Sequence, residues 1–410
     1  MGYGEVATAT SWGIAFPNYR SGAFYNKSVS DWIDAQEGNG WIYHTAPLGN
    51  KDWGGPMWSS AGLNVSWEHF MQYGDRQILE LIYPSAQRWL NFLHNNTENG
   101  LLVPYNGRKE FFLGDWIAPG GLKDWGGSLN ATFFNNCVYV MNLQTFIRIA
   151  GILNRQEEAA VYSKRLETLK SRIHETFFHS ESNTYLDGRQ VYMAFSLLME
   201  IVPDNLRQSV AESFIKEFRE NRPYLDMGSS GISVLLKYLI SNPEYSSVAA
   251  LHLSSVTKPS YGYFIARGET TWPENWTVDV DSRIHTCYTG IASWFIKSLC
   301  GIRPDSTHPG YQQFIIQPVI VPEVTFAEAS VESPYGQISS RWERHKNKVK
   351  LSVTVPPNST ATVYVPAKDM KSITENGIKV DKSKGVTITG LEGGYAVVTV
   401  ESGRYRFETK

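Results

Sequence analysis

From about residue 20 to residue 300, apolar residues recur at helical spacing. Trp67, Phe70, Met71 and Tyr73, followed by Ile78, Leu81, Ile82, Ala86, Trp89 and Leu93, make two apolar faces joined at Gly74-Asp75, which predicts a helical hairpin. The same pairing returns at 133–153 with 156–178, at 189–201 with 205–220, and at 229–241 with 245–253, before a last helical stretch at 282–300. Paired helices separated in places by loops as long as 39–57 and 97–131 predict a toroid of hairpins around a central pocket. An up-down bundle would not need such connections. Near Gly301 the period changes: QFIIQPVIV, KVKLSVTVP, STATVYVPA and YAVVTVES are short β-branched alternations bounded by Gly, Pro, Asn and Lys, which predict an antiparallel β-sandwich of about eight strands. The reading is therefore a mainly α domain over 1–305 and a C-terminal β-sandwich domain over 306–410.

Composition narrows the function. Lys plus Arg (38) and Asp plus Glu (40) nearly cancel, so the chain has no strong field with which to grip a phosphate backbone, and nucleic acid is a poor partner. No apolar run reaches the roughly 18 to 20 residues of a membrane span. Three cysteines without CxxC spacing, and no HExxH, give no sign of a metal site, and no cofactor motif is present. Phosphate-cradling GxxxxGK[ST] loops and GxSxG elbows are absent too. Twelve of the thirteen tryptophans precede residue 295, which places the chemistry in the helical part. Residues 1–30 show no basic start followed by an apolar stretch, and MGYGEVATATSW reads as the interior of a domain. We therefore expect a segment upstream, which leaves a periplasmic or extracellular location open.

The densest polar-aromatic stretch is Arg267-Gly-Glu-Thr-Thr-Trp-Pro-Glu-Asn-Trp276, just before His285. Glu269 and Glu274 lie among Trp272 and Trp276 in a segment of no helical or strand period. Acid and indole on one loop suit a sugar site, where ring faces stack on aromatic surface and carboxylates handle hydroxyls and protons. The same loop also reads as solvated acids beside tryptophans covering a helix end. Asp115-Trp116, followed by Asp124-Trp125, and Trp53-Gly-Gly-Pro-Met-Trp58 are further clusters, each open to a plain reading as a turn, a cap or core packing.

At these residues the chain resembles the bacterial α-L-rhamnosidases of glycoside hydrolase family 78. Gly268-Glu-Thr-Thr-Trp-Pro-Glu-Asn-Trp276 is similar to that family's G-A-T-T-x-W-E-x-W loop, with Glu269 in place of Ala and Pro273 in place of the first Trp. Pro56 to Ser59, Tyr73 to Asp75, Gly114 to Trp116, Phe134 to Cys137, Ile284 to Cys287, Gly301 to Asp305 and Ser333 to Gly336 follow its other motifs in order. The resemblance implies an (α/α)6 barrel, N-terminally incomplete, followed by the β-sandwich, and inverting hydrolysis of terminal α-L-rhamnosides from plant or algal glycans. It implies Glu274 as general base and Asp115, Trp116, Trp58, Trp276 and His285 around the sugar; Glu269, where the family has Ala, is our own candidate for a specificity residue or a substitute base. Gly2-Tyr-Gly-Glu5 is similar to the family's G-Y-G-D, which makes Glu5 a supporting carboxylate and puts the family's general-acid segment before residue 1.

Two other functions compete. A non-catalytic carbohydrate-binding remnant would bind sugar without turnover. A polysaccharide lyase on the same toroid would use a pair such as Tyr288 and His285 and release an unsaturated product, but no Arg/Lys cluster accompanies these loops to hold a uronate.

Overall fold

The computed structural model describes residues 2–12, 20–48, 54–105, 108–119, 125–257, 259–277, 280, 282–346 and 348–409. Trp53 and Asp124 lie outside them.

The hairpins form where the apolar period placed them. Helix α1 (Gly4–Thr10) and α2 (Gly22–Asp34) are followed by the short α3 (Pro56–Ser59) and by the pair α4 (Ala61–Tyr73) and α5 (Arg76–Asn95). Gly74, at φ 70°, ends α4 in the left-handed conformation that suits glycine, and the Asp75 side chain starts α5 by accepting from the Gln77 amide. Helices α6 (Leu129–Ile152) and α7 (Gln156–Phe177), α8 (Gln190–Leu198) and α9 (Asp204–Lys216), and α10 (Ser229–Ser241) and α11 (Ser246–Ser254) continue the pairing, with α12 (Tyr261–Ala266) beyond them. Helix α6 is buried around most of its circumference, which marks an inner helix, whereas α7 buries a single stripe of Tyr162, Leu166, Leu169, Ile173 and Phe177.

Packing follows a closed ring of inner segments: α1 against α4, α4 against α6, α6 against α8, α8 against α10, and α10 against the stretch from Thr286 to Leu299, which returns to α1. A hydrogen bond from Thr10 Oγ1 to Thr286 Oγ1 at 3.0 Å joins first to last. This is an (α/α)6 barrel.

Two elements depart from the sequence pattern. Helix α1 precedes the first apolar period, and its GEVATAT sequence is rich in Thr and Gly, which favour helix weakly. Tertiary packing holds it: Gly4 lies so near α3 that a Cβ there would stand 1.8 Å from the Trp58 carbonyl oxygen. The expected helix at 282–300 is instead a 3₁₀ turn at Thr286–Gly290, the brief α13 (Ile291–Trp294) and a widened turn at Phe295–Leu299 closed from the Cys300 amide to the Phe295 carbonyl.

Strands follow from Ile302. β1 (Ile302–Pro304), β2 (Gln313–Ile316), β6 (Thr360–Pro366), β9 (Val386–Glu392) and β10 (Tyr395–Val400) make a sheet of order β9-β10-β6-β2-β1. β3 (Phe326–Ser333), β4 (Gly336–His345), β5 (Lys348–Val355), β7 (Ile373–Glu375), β8 (Ile378–Lys379) and β11 (Gly403–Thr409) make the other, of order β8-β7-β11-β5-β4-β3. Pairing is antiparallel except between β6 and β2, where Thr360–Val363 runs parallel to 313–316. Their facing side chains, among them Trp342, Leu351, Val363, Val398 and Phe407, form a separate core. Trp342 Nε1 donates to the Leu299 carbonyl at 2.7 Å, and the Gly310 amide to that of Met71 at 3.0 Å, which fastens the sandwich to the helical domain. Among the described residues no helix is long and apolar enough to cross a membrane.

Candidate active site

A cavity of about 840 Å³ opens at one mouth of the barrel. Its wall brings together Glu5, Trp58, Trp116, Glu274 and His285, which are scattered over 280 positions of sequence. Each is placed by an identifiable local device.

The loop carrying Glu274 is folded on itself: the Glu274 amide donates to the Ser282 carbonyl at 2.9 Å, and the His285 amide to the Trp272 carbonyl at 2.7 Å. Glu274 and His285 thereby come to the same wall. Pinning the loop from below, Trp276 is buried, donates from Nε1 to the Met227 carbonyl at 2.6 Å and stacks on Phe264 at 5.2 Å.

The other side of the site is built on the N-terminus of α10. Its first residue boundary, Gly228, has no side chain to cap with, and the acceptor comes instead from Asp115, whose carboxylate takes the amides of Gly228 and Gly231 at 2.6 Å each. The Trp116 carbonyl takes the Ser229 amide at 3.0 Å. Three of the amides that a helix start leaves unpaired are thus satisfied from one dipeptide, with the negative charge at the positive end of the helix. Glycine is required here, since a Cβ at Gly228 would meet the Trp116 carbonyl oxygen at 1.8 Å and one at Gly231 would meet Asp115 Oδ2 at 2.6 Å. The next residue, Ile117, sits at φ 51°, a left-handed conformation unfavourable to a β-branched side chain.

So held, the Trp116 indole donates from Nε1 to Glu274 Oε1 at 2.9 Å and meets Trp58 edge to face at 6.4 Å. Glu5, on the first turn of α1, is 2% exposed and accepts from the hydroxyls of Ser229 at 2.7 Å and Ser230 at 3.3 Å. Burial pushes its carboxyl above the ordinary range, opposed by the attraction of His285 and the two hydroxyl bonds and reinforced by the charge of Glu274.

Three of the expected site residues are absent from the cavity wall. Asp115 is buried with its oxygens engaged by helix amides, Trp276 packs beneath the loop, and Glu269 faces Arg283 at 3.9 Å. Tyr288, the lyase candidate, is fully buried against Tyr261 and Trp276, and burial holds its hydroxyl well above the ordinary tyrosine value. Conversely, α2 contributes Phe24, Tyr25, Ser28 and Asp31 to the wall, which sequence reasoning passed over. Their i, i+1, i+4, i+7 spacing was the available signal. A second omission is a cluster of Glu5, His285 and Cys287, whose ligand atoms lie within 4.8 Å of one another.

Residues 1–299 match the sequence profile of the bacterial alpha-L-rhamnosidase six-hairpin glycosidase domain, and residues 301–379 that of the bacterial alpha-L-rhamnosidase C-terminal domain. The chain belongs to this family. An alpha-L-rhamnosidase of Streptomyces avermitilis is 30% identical over 398 residues, covering 94% of this chain and 36% of that protein. Another, of Formosa agariphila, is 23% identical over 367 residues, 86% of this chain and 38% of that one. The chain thus spans little more than a third of the length of these two rhamnosidases. Among solved structures, the S. avermitilis enzyme complexed with L-rhamnose superposes with a TM-score of 0.86 at 26% identity over 100% of this chain and 38% of its own. The rhamnosidase of Dictyoglumus thermophilum gives 0.87 at 25% identity, over 100% of this chain and 46% of that one.

Proposed function

We propose that the cavity takes a terminal α-L-rhamnosyl residue and that the domain hydrolyses its glycosidic bond with inversion, the substrates being rhamnose-capped plant or algal glycans. The observation that carries this reading is the bond from Trp116 Nε1 to Glu274 Oε1 inside an indole-walled cavity. A carboxylate fixed through one oxygen presents the other to a water molecule. Glu274, as general base, takes that water's proton as the oxygen attacks the anomeric carbon; the C–O bond to the aglycone breaks and its electron pair leaves with the aglycone oxygen. Trp58 and Trp116 offer flat apolar surface to the sugar ring, and His285 and Glu5 offer polar groups to its hydroxyls. The bound L-rhamnose in the S. avermitilis structure supports this choice of sugar.

The test uses a dinitrophenyl α-L-rhamnoside, whose leaving group departs without a proton, beside a natural rhamnoside, whose leaving group needs one. The 410-residue chain hydrolyses the activated substrate, proton NMR shows β-L-rhamnose as the first product, and Glu274→Gln lowers kcat by at least about 10³-fold. A ratio of activated to natural rates about 10²- to 10⁴-fold above that of a rhamnosidase holding its general acid would mean that no proton donor acts from within these 410 residues. Binding of L-rhamnose by calorimetry with no turnover of either substrate would overturn the catalytic reading in favour of a sugar-binding domain.

A further inference from the structure

We infer that Glu5, His285 and Cys287 form a binding site for one thiophilic divalent cation, of the zinc and cadmium class, at the floor of the cavity. A carboxylate oxygen, a ring nitrogen and a sulfur, each within 4.8 Å of the others, offer the three donor types such ions take. Metal bonds of about 2.0 to 2.3 Å place tetrahedral ligand atoms roughly 3.3 to 3.8 Å apart, so closure asks for a contraction of about 1 Å. The long, unbranched Glu5 side chain can supply it.

Three further features fit the assignment. His285 Nε2 is buried with no hydrogen-bond partner among the described residues, which leaves it for a ligand in the cavity. The Ser229 and Ser230 hydroxyls both engage Glu5 Oε1, which orients the carboxylate and leaves Oε2 for a cation, as supporting hydrogen bonds do around ligating carboxylates. Finally, Glu5 and His285 line the cavity, which gives the ion a path in to Cys287 buried beside them. Calcium or magnesium, which require six or more oxygens, find no such set here. On binding, the Cys287 S–H bond breaks, its proton goes to solvent, and the sulfur electron pair forms the metal–sulfur bond.

Cadmium reports on the thiolate directly. Titration of the 410-residue chain with CdCl₂ gives an ultraviolet sulfur-to-metal charge-transfer band that saturates at one equivalent, and Cys287→Ser removes it although Cys137 and Cys300 remain. Glu5→Gln and His285→Gln keep the thiol and weaken cadmium binding by at least about tenfold, which decides the matter if Cys287→Ser fails to fold. No band at a roughly hundredfold excess of CdCl₂, an undiminished band in Cys287→Ser, or unweakened binding in both Gln variants would each overturn the site. The readout is metal binding alone, so it stands or falls separately from rhamnoside turnover.

Discussion

Trp116 and Glu274 are 158 residues apart in sequence and 2.9 Å apart in space, the indole Nε1 donating to the carboxylate Oε1. The bond joins the loop after α5 to the loop after α12 and orients the proposed base. Trp116→Phe keeps the ring and deletes the donor. A hydrogen bond to a charged group is worth about 1.5 to 3 kcal/mol, so kcat on an activated rhamnoside should fall about 10- to 100-fold with a smaller change in KM. An unchanged kcat would mean that Glu274 is oriented by something else.

Asp115 should behave as a structural residue. Replacing it with Ala leaves the Gly228 and Gly231 amides buried and unpaired, a loss of about 2 to 4 kcal/mol in urea unfolding. A direct sugar contact, as the resemblance implies, would instead weaken L-rhamnose binding in a variant of native stability.

Ile117 tests whether the backbone beside Trp116 is strained. Truncating a large buried side chain commonly costs 2 to 5 kcal/mol. At φ 51°, however, Ile117→Gly also releases about 1 to 3 kcal/mol of conformational strain, and the side chain is only half-buried. Stability should therefore change by less than about 1 kcal/mol, and a loss above about 3 kcal/mol by urea unfolding would rule the strain out.

Glu5 carries a pH signature of defined sign. Its folded carboxyl is raised above the ordinary 4.5, chiefly by burial, so between these two values the native state binds more protons than the unfolded one. The contribution of Glu5 is thus most favourable below pH 4.5 and declines as pH rises through the folded value. Glu5→Gln, whose amide oxygen still accepts from Ser229, removes this decline. The difference in Tm, variant minus parent, should grow as pH increases from about 4 to 8. A difference independent of pH would contradict the assignment.

Much of the barrel was legible because its helices carry one-sided or all-round apolar patterns at a period near 3.6, as in α5, α6 and α7. The Glu274 loop was legible through the company of its tryptophans. Other features were not. Helix α1 is weak in propensity and stands through contact with Trp58, a term no local window contains. Asp115 reads in sequence as a ligand for sugar hydroxyls, and the Gly228 and Gly231 amides that its carboxylate accepts from lie 113 and 116 residues away, beyond any local window. Cys287 offers no spacing signal for a metal, because the carboxylate beside it comes from Glu5, 282 positions earlier in the sequence.

The closure of the ring by α1 against the Thr286–Gly290 turn also sets an order of events during synthesis. A chain emerging from the ribosome makes the Glu5 wall of the cavity first and the Glu274 and His285 wall some 270 to 280 residues later, after every intervening hairpin. Such a long-range contact closes slowly. Until it closes, α1 lacks the Thr286–Gly290 turn beside it, and the Trp116 indole lacks the carboxylate to which it donates. The nascent domain therefore has its greatest need for chaperone protection just before the last inner segment arrives.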